Sequence, residues 1–393
     1  MADALSSLLH AVHLLAPDEL AGAVATAAAG LGARETVLYL ADYEQVTLLP
    51  VPGSAVPGRQ QLSIEGTLAG RAFQRIEVVG HAAKHGHRLW MPLLNGLERL
   101  GVAELLLPEE PTDDQRDALL AFVTLTAELL VVRDAYSDVF SRLRRRKTLS
   151  LAAEMQWELL PPLTFGTERV VITGGLEPAY EIGGDSFDYA VNGDTAELLV
   201  IDSVGHGLPA AVLASVAISA YRHARRNALD LPDIAAEINA AIATQLGVSR
   251  FATAILARLD IDTGRLRWIN AGHPDPLILR GSALVRPPHG RPARPLGLQE
   301  DKPSCSETRL EPGDRLLLYT DGITEARSPG GDFFGEQRLA DFISAAASAG
   351  QPAPETVRRL MRQLLDHQAD QLQDDASIVI LEWLTGGERR ALP

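Results

Sequence analysis

Apolar residues recur at helical spacing near the start of the chain. Leu8, Val12 and Leu15, then Leu20 and Val24, predict helix within residues 5–31. Strand-like apolar runs follow at 36–40, 46–49, 88–91 and 102–107. A Pro/Gly-rich turn at 50–58 separates two of them, and residues 63–73 look like a loop opening a short helix. Residues 1–110 are therefore expected to form one mixed α/β domain.

From Pro111 the pattern becomes helical. Pro111-Thr112-Asp113-Asp114 offers an N-terminal cap and an acidic first turn. Apolar positions then recur at Leu119, Phe122, Val123, Leu129, Leu130, Tyr136, Phe140 and Leu143, with Thr126 as a polar gap. A basic run at 142–147 interrupts this face, and Leu151, Met155 and Leu159 continue it until Pro161-Pro162 end the helix. The expectation is a helical linker over residues 111–162. Its stripe suits a spacer lying on one of its own domains, or a parallel two-helix coiled linker that makes the protein a homodimer.

Residues 163–386 alternate strand runs with a few helices. Strands are expected at 170–173, 195–201, 253–259, 266–270, 276–280, 315–319 and 377–381, and helices at 208–227, 232–246, 335–347 and 353–371. Asp262-Thr263-Gly264 reads as a hairpin turn. Short connections favour antiparallel sheets with helices outside, and the lack of regular βαβ alternation argues against a Rossmann-like sheet. The fold class is α+β.

Composition narrows the function. A chain of 393 residues with 46% apolar content can build two or three real cores. A net charge of -15 argues against nucleic-acid or anionic-membrane partners, which select basic patches. Cys305 is the single cysteine, which rules out an intrachain disulfide or a multi-cysteine zinc site and points to a reducing, cytoplasmic setting. The start, Met1-Ala2-Asp3-Ala4-Leu5-Ser6, lacks a basic signal-peptide head. The best uncharged stretch, residues 207–221, reads as a buried helix rather than a membrane span.

Four short acidic motifs carry the chemistry: Gly183-Gly184-Asp185-Ser186-Phe187-Asp188, Asp202-Ser203-Val204-Gly205-His206-Gly207, Thr320-Asp321-Gly322 and Asp374-Asp375-Ala376-Ser377. Three of them adjoin strand-like runs. A carboxylate at the end of a buried strand is costly unless a cation neutralises it. Several such ends meeting in space would cage hard divalent ions, which prefer oxygen ligands.

In the front third, residues 65–73, 90–94 and 100–105 resemble a GAF-type sensory domain. That resemblance implies an unidentified small-molecule or protein input. His81, His85 and His87 could suggest haem or a metal there, although isolated histidines are more often ordinary surface residues. In the back half the ordered set GGDxFD, DSVGHG, NAGHP (270–274), TDGITE (320–325), FFGEQRL (333–339) and DDAS resembles the SpoIIE-like branch of metal-dependent serine/threonine phosphatases, relatives of the phosphatase 2C group. The resemblance implies an αββα sandwich of two antiparallel sheets flanked by helices, and two divalent ions, Mn²⁺ or Mg²⁺, that activate water and clamp the phosphate.

By the same resemblance, Asp202 would bridge both ions and the Ser203 carbonyl would help hold the second. Asp321 and Asp374 would hold the first, and Asp185 would act through the second ion's water shell. Gly183, Gly184, Gly205 and Gly322 would let the backbone bend beside the ions. Asp188 is either a supporting orienter or a local turn former, and Asp375 is a further candidate. His206 could protonate the leaving group. The phosphatase 2C relatives place that histidine two residues after the bridging aspartate, where this chain has Val204, so a structural or supporting role is favoured. Asn270 and His273 are expected to stabilise a tight turn. Ile201 and Ser186 depart from the family pattern without removing a ligand.

The implied substrate is a phosphorylated signalling protein such as an anti-sigma factor antagonist. Competing readings fit less well. A diguanylate cyclase, suggested by Gly183–Phe187, leaves the other three acidic motifs without a role. Cys305 lacks the arginine six positions on that a cysteine phosphatase needs, since Glu311 stands there. A catalytically inactive phosphatase-like scaffold remains as the non-enzyme alternative.

Overall fold

The computed structural model describes residues 2–53, 58–177, 180, 183–247, 249–288, 290, 293–369 and 374–384. The chain divides into two compact units, residues 1–148 and 149–389. Among the described residues no helix is long and apolar enough to cross a membrane.

The front unit opens with two helices, α1 (Ala2–Val12) and α2 (Leu20–Ala29), parted by a 3₁₀ turn at Pro17–Glu19. Pro17 cannot continue α1, but its fixed φ suits the first position of the turn. Six strands follow: β1 (Glu35–Ala41), β2 (Thr47–Pro50), β3 (Leu62–Ser63), β4 (Val79–Ala83), β5 (Gly86–Asn95) and β6 (Glu98–Leu107), with α3 (Leu68–Arg75) between β3 and β4. They form one antiparallel sheet in the order β3-β2-β1-β6-β5-β4. The alternation of side chains along β1 divides its two faces. Leu38 and Leu40 join the core built with α1 and α2, whereas Val37 and Tyr39 pack with Phe73 of α3.

The expected single linker helix is three helices, α4 (Asp113–Asp134), α5 (Val139–Leu143) and α6 (Leu151–Leu159). Thr112 caps α4 as its sequence predicts, accepting from Gln115 N–H. The chain leaves the helix near Ser137, whose hydroxyl accepts from Val139 N–H and competes with the helical pattern. Leu119, Phe122, Val123, Leu129, Leu130 and Phe140, the stripe that could have formed a coiled-coil seam, are buried in the front unit's own core. The spacer reading is the better one for α4 and α5. The basic run also has a local role: Arg144 donates to the Ala41 carbonyl and lies over the Tyr43 ring, and Arg146 pairs with Asp42 and Glu44. Helix α6, expected in a linker ending at residue 162, belongs instead to the back unit, which starts at residue 149.

The back unit has two antiparallel sheets. One contains β9 (Asp185–Asn192), β10 (Thr195–Ser203), β11 (Ala252–Asp260), β12 (Arg265–Ala271) and β15 (Ser306–Arg309), in the order β15-β12-β11-β10-β9. The other contains β7 (Thr164–Gly166), β8 (Val170–Glu177), β13 (Leu277–Arg280), β14 (Ala283–Val285), β16 (Arg315–Tyr319) and β17 (Ala376–Trp383), in the order β14-β13-β16-β17-β8-β7. Helices α7 (Leu208–Arg226) and α8 (Leu231–Leu246) cover the first sheet, where Leu199, Ile201, Leu256 and Ile269 meet Leu213, Ile218, Tyr221, Ile234 and Ile238. The short α9 (Asp321–Thr324), α10 (Gly335–Ser348) and α11 (Ala353–His367) cover the second. Adjacent glycines of β8 show how tightly the layers close. A Cβ on Gly174 would lie 2.3 Å from the Phe187 ring of the facing sheet, and one on Gly175 would lie 2.4 Å from Val357 of α11. This is the expected αββα sandwich.

Candidate metal centre

Two strands deliver the first pair of carboxylates. β9 and β10 run antiparallel with Asp185 directly opposite Asp202, so adjacent backbones force two acids together at one end of the sheet. No strand is among those expected at the first motif, yet β9 begins at Asp185 itself. The second sheet supplies the others: Asp321 opens α9 just past β16, and Asp374 and Asp375 precede β17.

The two ends are stitched by hydrogen bonds. Thr320 Oγ1 donates to Asp185 Oδ2 at 2.6 Å and accepts from Ser377 N–H at 2.9 Å. Asp375 Oδ2 accepts from the N–H groups of Gly183 at 2.7 Å and Gly184 at 2.6 Å. That carboxylate is therefore a clamp on the first motif, while Asp374 is exposed and accepts from Asp375 N–H.

The glycines are needed for close approach. A Cβ on Gly184 would lie 2.4 Å from the Ser203 carbonyl oxygen, and one on Gly322 would lie 1.8 Å from that of Asp375. Neither contact is possible for a larger residue. Gly205, by contrast, sits at φ +95°, where only glycine is comfortable, so the tight bend expected of all four occurs at this one alone.

Electrostatics mark the cluster as incomplete. Asp185 is buried, and burial followed by the charge of Asp202 raises its carboxyl well above the usual range. Asp202 is pushed up to about 7 by burial and by the charges of Asp321, Asp374 and Asp375. Asp321 is raised by burial, Asp374 and Glu325. Among the described residues no Lys or Arg forms an ion pair with any of these aspartates. Nor is any set of three His, Cys, Asp or Glu side chains among them drawn together tightly enough to hold a metal ion by itself. An all-oxygen, uncompensated, partly buried group of this kind fits hard divalent cations that keep several water ligands. Asp202, Asp185, Asp321, Asp374 and the Ser203 carbonyl are the groups that could hold them.

The remaining candidates separate cleanly. Asp188 lies farther along β9 and faces α7, where Arg222 and Arg225 bind it at 3.0 and 3.2 Å. It anchors a helix, which neither of its expected roles described. His206 is exposed between β10 and α7, with no side-chain partner among the described residues, so the favoured structural role has no contact to rest on. Asn270 accepts from His273 N–H and donates to the His273 carbonyl and to Asp275, a tight-turn role as expected. Sequence reasoning missed Thr320 and Gln156. The Gln156 side chain on α6 donates to the Gly183 carbonyl at 3.3 Å and is wholly buried.

Residues 192–384 match a family model described as Stage II sporulation protein E (SpoIIE). The span includes Asp202, Asp321 and Asp374, and starts just after Asp185. Protein IcfG of Synechocystis sp. is 26% identical over 264 residues, covering 60% of this chain and 41% of that protein. Phosphoserine phosphatase RsbU of Bacillus subtilis is 24% identical over 247 residues, covering 60% of this chain and 70% of that protein. Among solved structures, the SiaA-PP2C domain of Pseudomonas aeruginosa superposes with a TM-score of 0.50 at 25% identity, covering 59% of this chain and 94% of that one.

Proposed function

We propose, starting from a chain whose residues 192–384 form a domain of the SpoIIE family, that the protein is a metal-dependent phosphatase acting on phosphoserine or phosphothreonine in a partner protein. The observation that carries this reading is the meeting of Asp185, Asp202 and Asp321 from two sheets, each carboxyl held high by burial and neighbouring negative charge. Bound Mn²⁺ or Mg²⁺ would lower the pKa of a water and neutralise the phosphoryl oxygens. Asp202 would be one of the groups that hold them. Asp321 and Asp374 would complete one site, and the Ser203 carbonyl with Asp185 would complete the other. Thr320 and Asp375 would hold these groups in place from the opposite sheet.

The name of the relative RsbU, a phosphoserine phosphatase, supports serine as the phosphorylated residue. We assign as substrate a small phosphorylated signalling protein of the anti-sigma factor antagonist kind, in the cytosol. The front unit, a self-contained α/β module, would act as a GAF-like input domain. The test is Mn²⁺-dependent hydrolysis of p-nitrophenyl phosphate and of a phosphoserine peptide by the full chain. Activity lost on chelation and in Asp202→Asn supports the enzyme; a wild-type chain inert with every divalent ion would make the scaffold reading the correct one.

A further inference from the structure

The acidic motifs provide no positive group for the substrate's phosphate. We infer that Arg250 supplies it, as the side chain that binds and orients the phosphomonoester dianion beside Asp202; this deepens the phosphatase reading and rests on it. Arg250 Nη1 lies 3.9 Å from the point where a Cβ on Gly205 would sit, so the guanidinium rests against a loop only three residues beyond Asp202.

Backbone pairing fixes this placement. Asp202 pairs with Thr253 and Ser203 with Ala252 across β10 and β11, and Val204 N–H donates to the Phe251 carbonyl at 3.1 Å. Arg250 is therefore two residues before the start of β11, alongside the departing Gly205–Gly207 loop.

Its charge is uncommitted where its neighbours' charges are not. Arg258 pairs with Glu197 and Asp230, Arg267 with Asp230, and Arg265 with Glu307. Arg222 and Arg225 of α7 hold Asp188. Arg250 is half-buried and has no carboxylate or side-chain hydrogen-bond partner among the described residues. A partly desolvated guanidinium without a counter-charge is unfavourable in the resting protein and gains most from an arriving anion. Its planar fork matches two phosphoryl oxygens. Gly205 has no side chain to stand between the fork and the metal-binding carboxylates.

The experiment uses the full chain with Mn²⁺, p-nitrophenyl phosphate as substrate and inorganic phosphate as competitive inhibitor. In R250A, KM for p-nitrophenyl phosphate and Ki for inorganic phosphate should rise together by about tenfold or more. The Mn²⁺ concentration for half-activation and Tm should stay at wild-type values, and R250K should recover part of the loss. Should R250A not fold, R250Q carries the same expectation. An active wild type whose R250A or R250Q variant keeps its phosphate Ki overturns the inference alone, as does a loss that tracks weakened Mn²⁺ activation. A wild type without metal-dependent hydrolysis overturns the phosphatase reading and this inference with it.

Discussion

Thr320 and Asp185 belong to opposite sheets, yet the threonine hydroxyl donates to the aspartate Oδ2 across 2.6 Å. Thr320 Oγ1 also accepts from Ser377 N–H, so one side chain connects β17 backbone to a buried carboxylate at the start of β9. Replacing Thr320 with valine keeps the volume but leaves Asp185 without its donor. Removing one partner of a buried hydrogen bond to a charged group costs about 1.5–3 kcal/mol. Thr320→Val should show this loss in thermal or urea unfolding without metal, and should also weaken Mn²⁺ activation, whereas Thr320→Ser should retain both. Equal stability and metal response in the valine variant would mean that the bond is incidental.

Asp202 illustrates stability held back for function. Its carboxyl is pushed up to about 7 by burial and by the charges of Asp321, Asp374 and Asp375. A folded-state value above the ordinary one near 3.9 means that the folded protein binds the proton more readily than the unfolded chain does. Metal-free stability from this group is therefore greatest below about pH 4 and declines as pH rises toward 7. Asp202→Asn should raise metal-free stability at pH 8 by on the order of 1 kcal/mol, as expected for relief of a buried, repelled charge. It should abolish hydrolysis as well. Differential scanning calorimetry in chelator, with and without the substitution, checks the sign. A destabilised Asp202→Asn protein in the absence of metal would count against the uncompensated cluster.

Gln156 gives the helix that leads into the back unit a direct hold on the Gly183 carbonyl. Helix α6 also packs on α7, whose Arg222 donates to the Leu159 carbonyl. The loop carrying Gly183 and Gly184 is thus held from one side by α6 and from the other by Asp375. Gln156→Leu should loosen the first hold at a cost of about 1 kcal/mol, a fewfold rise in the Mn²⁺ concentration needed for half-maximal rate. Truncation before residue 149 should preserve the metal response, whereas truncation at Thr164 should impair it by removing α6. A chain beginning at Thr164 with unaltered Mn²⁺ dependence would rule out this coupling.

The clustered aspartates were legible because their chemistry is local in sequence: each sits at or beside a strand end with glycine nearby. The layer order was legible because apolar runs of strand length alternate with amphipathic helices. What could not be read was the division of labour within motifs. Asp188 and Asp185 are three residues apart on one strand and face different neighbours, a distinction set by pleat and by the arrival of Arg222 from α7. Asp374 and Asp375 are equivalent as letters, yet only Asp375 meets the Gly183 and Gly184 amides. The linker misled because α4 has a helix-spaced apolar stripe whatever it packs against. Periodicity shows that a face is buried without showing which partner buries it.

His273 provides a pH test away from the acidic cluster. Burial lowers its imidazole to about 4, and Nδ1 lies 2.8 Å from Thr253 Oγ1. Thr253 is the strand neighbour of Asp202, so the ring supports the site from beneath. A folded-state value depressed below the ordinary one near 6.5 means that the unfolded chain takes up the proton first. The stability contributed by the neutral ring is complete above pH 6.5 and is lost as pH falls toward 4, with a total of about 3 kcal/mol. His273→Asn removes this titration. The stability gap between wild type and His273→Asn, measured by urea unfolding at fixed Mn²⁺, should therefore be widest near pH 7.5 and shrink by about that amount toward pH 4. Parallel stability curves across this range would show that the histidine titrates normally and is not buried in its neutral form.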